Sequence, residues 1–291
     1  AATPTDLVKI CAGTHVTDLS SSGDLNVQGV GSGSTVITGS GLAPVWTHAS
    51  GDLNLTALRI TGGVSAQNGG GIDGGGMGPA HLLTLANASV DTNSAASAGG
   101  GIMAPNVALY NSTVGQNSAE LGGGIFATET VFVDASSLVT VNVAATRGGG
   151  IHAPVVTGSG TVQGNTADFG GGLAGVGALD ISGGLQIVGN NAINTGQGGG
   201  TYCDPCDGLG ITLNDVTLSG NTAANDGAGA YVGNAAVVAF DDVTFADNIA
   251  AIKGGACSCG VAETWSPPWT TSLSPATEPR GVGPSTPTIT T

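Results

Sequence analysis

The chain has 291 residues, of which 53 are glycine and only 9 % are charged, whereas average proteins contain about 7 % glycine and about 25 % charged residues. Twenty acidic and five basic side chains give a formal net charge of −15, which excludes nucleic acids and anionic membrane surfaces as partners because both would be repelled. No run of about 18 apolar residues occurs, so no membrane-inserted helix is expected, and this much glycine disfavours long helices. The composition therefore predicts an all-β chain punctuated by glycine.

The N-terminal segment, residues 1–22, is expected to cap one end of the fold. Residues 7–12 (LVKICA) supply the apolar contact that a cap needs, because a stack of strands exposes unpaired edges at its ends. The segment lacks the basic and apolar regions of a secretory signal. Since an acidic, lysine-poor composition is typical of extracellular proteins, we expect a secreted or cell-surface protein whose signal peptide has already been removed.

Residues 23–63 are predicted to form irregular coils, in which strands of alternating apolar and polar residues end at glycine. Seven copies of a repeat follow, spaced 23–31 residues apart. Each copy has an asparagine, an apolar residue three positions before it, an alanine two positions after it, and a small-residue cluster, mostly Gly-Gly-Gly-Ile, shortly afterwards. The repeated asparagines are Asn93, Asn117, Asn142, Asn165, Asn190, Asn221 and Asn248.

These repeats predict a coiled, stacked architecture. One repeat is too short to bury its apolar side alone, but stacked repeats bury a continuous interior. Neighbouring coils are then about 4.8 Å apart, and we expect the asparagine amides to hydrogen-bond from coil to coil as a structural ladder. The prediction is a right-handed parallel β-helix, or β-solenoid, with about nine coils over residues 23–264.

The repeats resemble those of chlamydial-type polymorphic outer membrane proteins, which pair a Gly-Gly-Ala-Ile-like motif with Phe-x-x-Asn. The strict form of the second motif is Phe245-Ala-Asp-Asn248, and the other copies have valine, isoleucine or leucine in place of phenylalanine. More broadly, residues 7–259 resemble secreted proteins of the pectin-lyase-like right-handed β-helix superfamily. The resemblance implies the architecture, and its members include surface adhesins, autotransported passengers and polysaccharide-cleaving enzymes.

Five cysteines are present, which fits an oxidising compartment. Cys203 with Cys206, and Cys257 with Cys259, can each close a small disulfide loop, which leaves Cys11 as a free thiol. A zinc site formed by the two pairs is the alternative, although Cys-x-Cys is a poor partner for Cys-x-x-Cys.

The sequence offers weak candidates for catalysis. A polyuronate lyase needs clustered cations, but the basic residues are scattered along the chain: Lys9, Arg59, Arg147, Lys253 and Arg280. A hydrolase needs paired carboxylates, for which Asp215, Asp241 and Asp242 are candidates. Asp215 and Asp242 precede their repeat asparagines by six residues, so they are expected on neighbouring coils, as a catalytic pair, a Ca²⁺ site or a solvated polar ladder.

No other metal site and no cofactor are expected, because the four histidines share neither a ligand spacing nor a repeat position. They are His15, His48, His81 and His152.

Residues 265–291 are rich in proline, serine and threonine. This composition is typical of a flexible linker, or of an extended segment that docks on a solenoid through Trp265, Trp269, Val282 and Ile289. The sequence as a whole predicts a non-enzymatic extracellular or cell-surface solenoid, either an adhesin or a subunit of a filament assembled end to end. Its expected partners are a second copy of the chain or a cell-surface or glycan receptor. The alternative is a polysaccharide-active, glycoside-hydrolase-like β-helix that uses the three aspartates named above.

Overall fold

The structure is a computed structural model, and it describes residues 7–175, 177–206, 210–233 and 237–260, without the side chain of Cys259. This part of the chain is built from short strands and contains no helix. None of it therefore forms a helix that could cross a membrane. The strands are β1 (Leu7–Lys9), β2 (Gly13–Val16), β3 (Leu19–Ser21), β4 (Leu25–Gln28), β5 (Thr35–Thr38), β6 (Trp46–His48), β7 (Leu53–Thr56), β8 (Arg59–Thr61), β9 (Val64–Ser65), β10 (Ile72–Asp73), β11 (Leu82–Ala86), β12 (Ser89–Asp91), β13 (Ser94–Ala95), β14 (Ile102–Tyr110), β15 (Thr113–Gly115), β16 (Ser118–Leu121), β17 (Ile125–Val133), β18 (Leu138–Thr140), β19 (Val143–Arg147), β20 (Ile151–His152), β21 (Val155–Thr157), β22 (Thr161–Gln163), β23 (Thr166–Ala167), β24 (Leu173–Gly175), β25 (Ala178–Val188), β26 (Asn191–Ala192), β27 (Thr201–Cys203), β28 (Gly210–Ser219), β29 (Thr222–Ala223), β30 (Ala230–Gly233), β31 (Val238–Ala246), β32 (Ile249–Ala250) and β33 (Cys257–Gly260).

The strands stack in four columns, named A to D in the order in which each coil passes through them. Column A holds β1, β4, β7, β11, β21 and parts of β14, β17, β25, β28 and β31. Column B holds β2, β5, β8, β12, β15, β18, β22 and the later parts of β25, β28 and β31. Column C is the separate eight-stranded sheet, β9, β13, β16, β19, β23, β26, β29 and β32, and column D holds β3, β6, β10, β20, β24, β27, β30, β33 and the first parts of β14 and β17.

Every pairing between neighbouring coils is parallel, and the chain makes about nine turns. The prediction of a parallel β-solenoid is therefore confirmed. The segment predicted as an N-terminal cap contributes β1, β2 and β3, which pair with β4, β5 and β6 as a further coil. Column C begins only in the third coil, with β9.

The strands form because apolar and polar residues alternate, with the apolar set facing the interior. In β28, Ile211 and Leu213 are buried before the corner between columns A and B, and Val216 and Leu218 are buried after it. Asp215 stands at that corner with a φ of 53°. The left-handed backbone conformation of Asp215 lets the strand turn while both apolar pairs stay inside. Aspartate is among the residues that tolerate this conformation.

Two cysteine predictions fall on described side chains. Cys203 and Cys206 form a disulfide, and Cys11 is an exposed free thiol. Cys257 is disulfide-bonded, while the side chain of its predicted partner, Cys259, lies outside the described residues. The predicted tail contacts of Trp265, Trp269, Val282 and Ile289 also lie outside them.

Candidate functional site

The repeated asparagines line one interior corner, between columns B and C. All seven are buried, with at most 7 % of each residue exposed. At the centre of the column, Asn165 Oδ1 accepts hydrogen bonds from the backbone N–H and from Nδ2 of Asn142, at 2.9 and 3.0 Å. Its own Nδ2 donates to the Val139 carbonyl and to Asn190 Oδ1, both at 3.0 Å. The same pattern runs from coil to coil and makes the column a continuous interior ladder.

The glycine cluster packs directly against this ladder. Gly124 is the third glycine of its cluster, and a Cβ placed on it would lie 2.6 Å from the Gly150 carbonyl oxygen and 2.8 Å from Asn142 Nδ2. Real Cβ atoms do not approach other atoms so closely. The asparagine and the glycines of neighbouring coils therefore form one packing unit, which explains why both recur in each repeat.

The predicted acidic site lies on the outer surface. Asp215, Asp241 and Asp242 are all exposed. Asp215 and Asp242 occupy the corner between columns A and B, both with a left-handed φ, 53° and 51°. Asn87 and Asn111 hold the same position in earlier coils, and the Asn111 amide donates to Asn87 Oδ1 at 2.7 Å. The backbone conformation thus accounts for a short polar residue here without any catalytic requirement.

The basic residues proposed for a lyase remain apart among the described residues. Arg59, in column B, makes a two-pronged ion pair with Asp91. Burial raises the pKa of Asp91, but hydrogen bonds from Arg59 and Ser89 outweigh burial and hold that pKa below its usual value. Lys9 lies in column A of the first coil. Arg147 ends the column C strand β19, and Lys253 lies between columns C and D in a coil far from it. Arg280 lies outside the described residues.

An aromatic row, which the sequence did not reveal, follows the outer face of column D. Phe126 pairs in register with His152, and their rings stack 5.0 Å apart at an interplanar angle of 6°. Further along, Tyr202 and Tyr231 stack 5.4 Å apart at 11°. Because the rings face one another along the solenoid axis, much of their area is used in packing between coils.

Two titratable groups are buried in this row. Burial lowers the pKa of His152 to about 4, with a smaller contribution from the neighbouring Arg147. Burial also raises the pKa of Tyr202 to about 12, and the Arg147 guanidinium lies 5.7 Å from the centre of the Tyr202 ring, within reach of a cation–π interaction. The row therefore holds a neutral imidazole and a neutral phenol at physiological pH.

A second unforeseen cluster lies at the corner between columns D and A. Asp24, Asp52 and His81 immediately precede β4, β7 and β11, so they stack on three successive coils. One ligand atom from each lies within 4.8 Å of the others. The signal in the sequence is that each residue is followed by the leucine that begins or adjoins a column A strand.

Comparison with known families finds one repeat model within the chain. The Chlamydia polymorphic membrane protein repeat matches residues 242–260, which make up most of the final described coil and contain both Asn248 and its glycine cluster. The chain is a β-solenoid with polymorphic-membrane-protein-like repeats. No curated protein sequence and no solved structure matches it.

This repeat match also bears on location. The match indicates a surface-exposed or outer-membrane-associated protein, which agrees with the coarse expectation of a cell-surface solenoid. The matched segment ends with β33, the last strand of column D. The repeat thus includes the ladder asparagine and the corner glycines, the interior features that make coils stack.

Proposed function

We propose that this chain is a secreted, non-catalytic surface solenoid with a structural or adhesive role, and that its copies associate end to end. The proposal rests on the strands of the two outermost described coils, which are paired on one side only. β1, β2 and β3 each pair with one neighbouring strand among the described residues, and the same is true of β31, β32 and β33. Such edges are templates for pairing with another chain.

Apolar side chains accompany both edges. In the first coil Leu7, Val8 and Val16 are exposed, with 54, 45 and 71 % of their surface accessible. In the last coil Ile249 and Ile252 are exposed to 65 and 66 %. Proteins that avoid edge-to-edge association place charges, proline or bulges at such edges. The exposed apolar side chains favour assembly here, and the charges that the two edges carry are opposite in sign, Lys9 in β1 and Asp241 and Asp242 in β31.

The columns define how two copies would join. The first coil contributes strands to columns A, B and D and none to column C. A second copy stacked head to tail would therefore place its first coil on β31 and β33, which end columns A, B and D among the described residues. Contacts of this kind do not close on themselves and so produce filaments.

Electron microscopy of the full chain over a range of concentrations tests this proposal. We expect filaments with an axial repeat of about 45 Å, the height of about nine coil spacings. The double variant Val8→Lys/Val16→Lys places charges on the first coil and should abolish them. Val143→Lys, at an exposed valine in the middle of the solenoid, is the matched control and should leave filaments intact. Dispersed rods at every concentration would contradict end-to-end assembly, and would leave residues 265–291 as the candidate cover for the last coil.

The adhesive part of the proposal requires its own measurement. Binding of the assembled chain to cell-surface glycans or receptors should persist in Asp215→Asn/Asp242→Asn, because these exposed residues serve the corner backbone. The same variant and the wild type should both fail to release reducing ends or unsaturated products from polysaccharides. Turnover by the wild type that is lost in the variant would establish the alternative, a polysaccharide-active enzyme.

A further inference from the structure

The corner cluster of Asp24, Asp52 and His81 has the composition and spacing of a metal site. We propose that these three residues bind a transition-metal cation of the Zn²⁺ type and so tie together three successive coils near the N-terminal end. His81 Nδ1 and Asp52 Oδ1 are 3.2 Å apart. Two ligands about 2.0–2.1 Å from a tetrahedral zinc ion are separated by about 3.3 Å, so the pair already has the spacing of two zinc ligands.

The donor set selects the class of ion. Zinc binds histidine nitrogen and aspartate oxygen, and three protein ligands with a water in the fourth position is a common open arrangement. Ca²⁺ and Mg²⁺ prefer shells made only of oxygen, and an imidazole suits zinc, copper or nickel better. The side chains of His81 and Asp52 are 40 and 48 % exposed, so an ion can reach them from solvent.

Backbone contacts between the coils hold the carboxylates in place. Asp24 Oδ1 accepts the backbone N–H of Asp52 at 2.9 Å. Asp52 Oδ1 accepts the backbone N–H of Leu82 at 2.9 Å. Each carboxylate is thus fixed by the next coil. Because a carboxylate oxygen has two lone pairs, Asp52 Oδ1 can accept the Leu82 N–H and still serve as a ligand beside His81 Nδ1, and this fixed position lowers the ordering cost of binding an ion.

An independent observation comes from His48, which is fully buried. Trp46 Nε1 donates to Ser21 Oγ at 2.7 Å, and Ser21 Oγ lies 2.7 Å from His48 Nδ1. The Ser21 hydroxyl therefore donates to Nδ1, which assigns the proton of the neutral ring to Nε2. That Nε2 has no hydrogen-bond partner among the described residues.

His48 interacts electrostatically with all three residues of the cluster. The backbone of Gly51, which precedes Asp52, makes a hydrogen-bonding contact with the His48 ring that falls short of a complete bond to Nε2. A buried donor without an acceptor is costly. The water on an open zinc site ionises to hydroxide near neutral pH, and a hydroxide can accept the Nε2 hydrogen bond that no described residue completes. The orphaned nitrogen and the three-residue cluster thus point to the same ligand from separate observations.

Isothermal titration calorimetry of the full chain tests the site. The exposed Cys11 is first changed to serine, because a free thiol binds zinc by itself, and the protein is treated with a chelator. We expect one Zn²⁺ per chain. His81→Gln and Asp24→Asn should each weaken binding at least tenfold, and Asp24→Asn keeps an oxygen for the Asp52 N–H. His15→Gln, at a histidine outside the cluster, is the matched control and should leave the affinity unchanged.

Two further readouts make the test decisive. Co²⁺ in place of zinc should produce visible absorption bands in the control variant and none in His81→Gln, and circular dichroism reports whether each variant is folded. Absence of zinc binding, or an affinity that neither cluster variant reduces, would overturn the proposal. Binding of Ca²⁺ as tight as that of Zn²⁺ would overturn the assignment to a transition metal.

Discussion

Replacing Asn165 by alanine probes the interior ladder at its centre, where no part of the residue is exposed. The substitution removes four hydrogen bonds of 2.9–3.0 Å. Asn142 Nδ2 retains a second acceptor, the Val114 carbonyl, and Asn190 Oδ1 still accepts the backbone N–H of residue 165. The backbone N–H of Asn142, however, loses the acceptor that the ladder gives it.

The expected loss in the free energy of unfolding is the sum of these changes. An orphaned buried donor costs about 1–3 kcal/mol, and each further lost hydrogen bond costs about 0.5–1.5 kcal/mol. We therefore expect Asn165→Ala to lower the free energy of unfolding by about 2.5–7.5 kcal/mol. Urea denaturation followed by circular dichroism measures the loss. Because repeat arrays can unfold in parts, hydrogen exchange of the amides in the two adjacent coils should show where protection is lost.

A matched control is available on the outside of the same solenoid. Asn54 Nδ2 donates to Asn26 Oδ1 of the neighbouring coil at 2.8 Å, so this pair has the same chemistry in a half-buried position. Water can replace this bond, and Asn54→Ala should cost less than about 1 kcal/mol. If Asn165→Ala is no more destabilising than Asn54→Ala, the ladder does not stabilise the fold in the way described.

Three further predictions concern other features and are measured by urea denaturation. Because burial lowers the pKa of His152 from 6.5 to about 4, the unfolded chain binds a proton between these pH values that the folded chain does not. The free energy of unfolding is therefore highest above pH 6.5 and falls by about 3 kcal/mol as the pH is lowered to 4. His152→Phe should remove this part of the pH dependence. An unchanged dependence of the free energy of unfolding on pH in that variant would refute the assignment to His152. Val141 has a left-handed φ of 55°, so Val141→Gly should stabilise by roughly 0.5–1 kcal/mol, while Val143→Gly, in a strand, should destabilise. Gly124→Ala should cost about 1–3 kcal/mol through overpacking, whereas Gly33→Ala, which meets nothing within 4 Å, should have little effect; equal effects would contradict the close packing of the glycine clusters.

The interior of the solenoid could be predicted from sequence because every coil meets the same constraint there. An asparagine at the corner between columns B and C must satisfy the coil before it and the coil after it, so the residue type repeats. Gly124 and its counterparts repeat because the next coil leaves no room for a Cβ. Identical constraints produce a periodic pattern, and the pattern reveals the coil length and the stacking.

The outer surface gave no such signal. Residues on the outside of column D meet solvent or one another, so the row that contains Phe126 and Tyr202 also contains Met103 and Ala174 and has no common residue type. An overall aromatic content of 4 % hid the fact that several of the rings share one face. His81 was missed for another reason, since the longer connection between β10 and β11 breaks the regular spacing that would align it with Asp52.

The same interior ladder limits how the proposed filament can be joined. In the third coil Gly63 takes the asparagine position, where its backbone N–H donates to Asn93 Oδ1, and the first two coils have no column C strand. A second copy stacked on the last coil therefore extends columns A, B and D but cannot continue the ladder beyond Asn248. The joint would lack the buried amide bonds that link neighbouring coils within one chain, so it should separate before the solenoid unfolds. Filaments should accordingly dissociate on dilution or in mild urea while circular dichroism remains that of the folded chain. If the filaments and the folded circular dichroism spectrum disappear together, the joint is as strong as the interior.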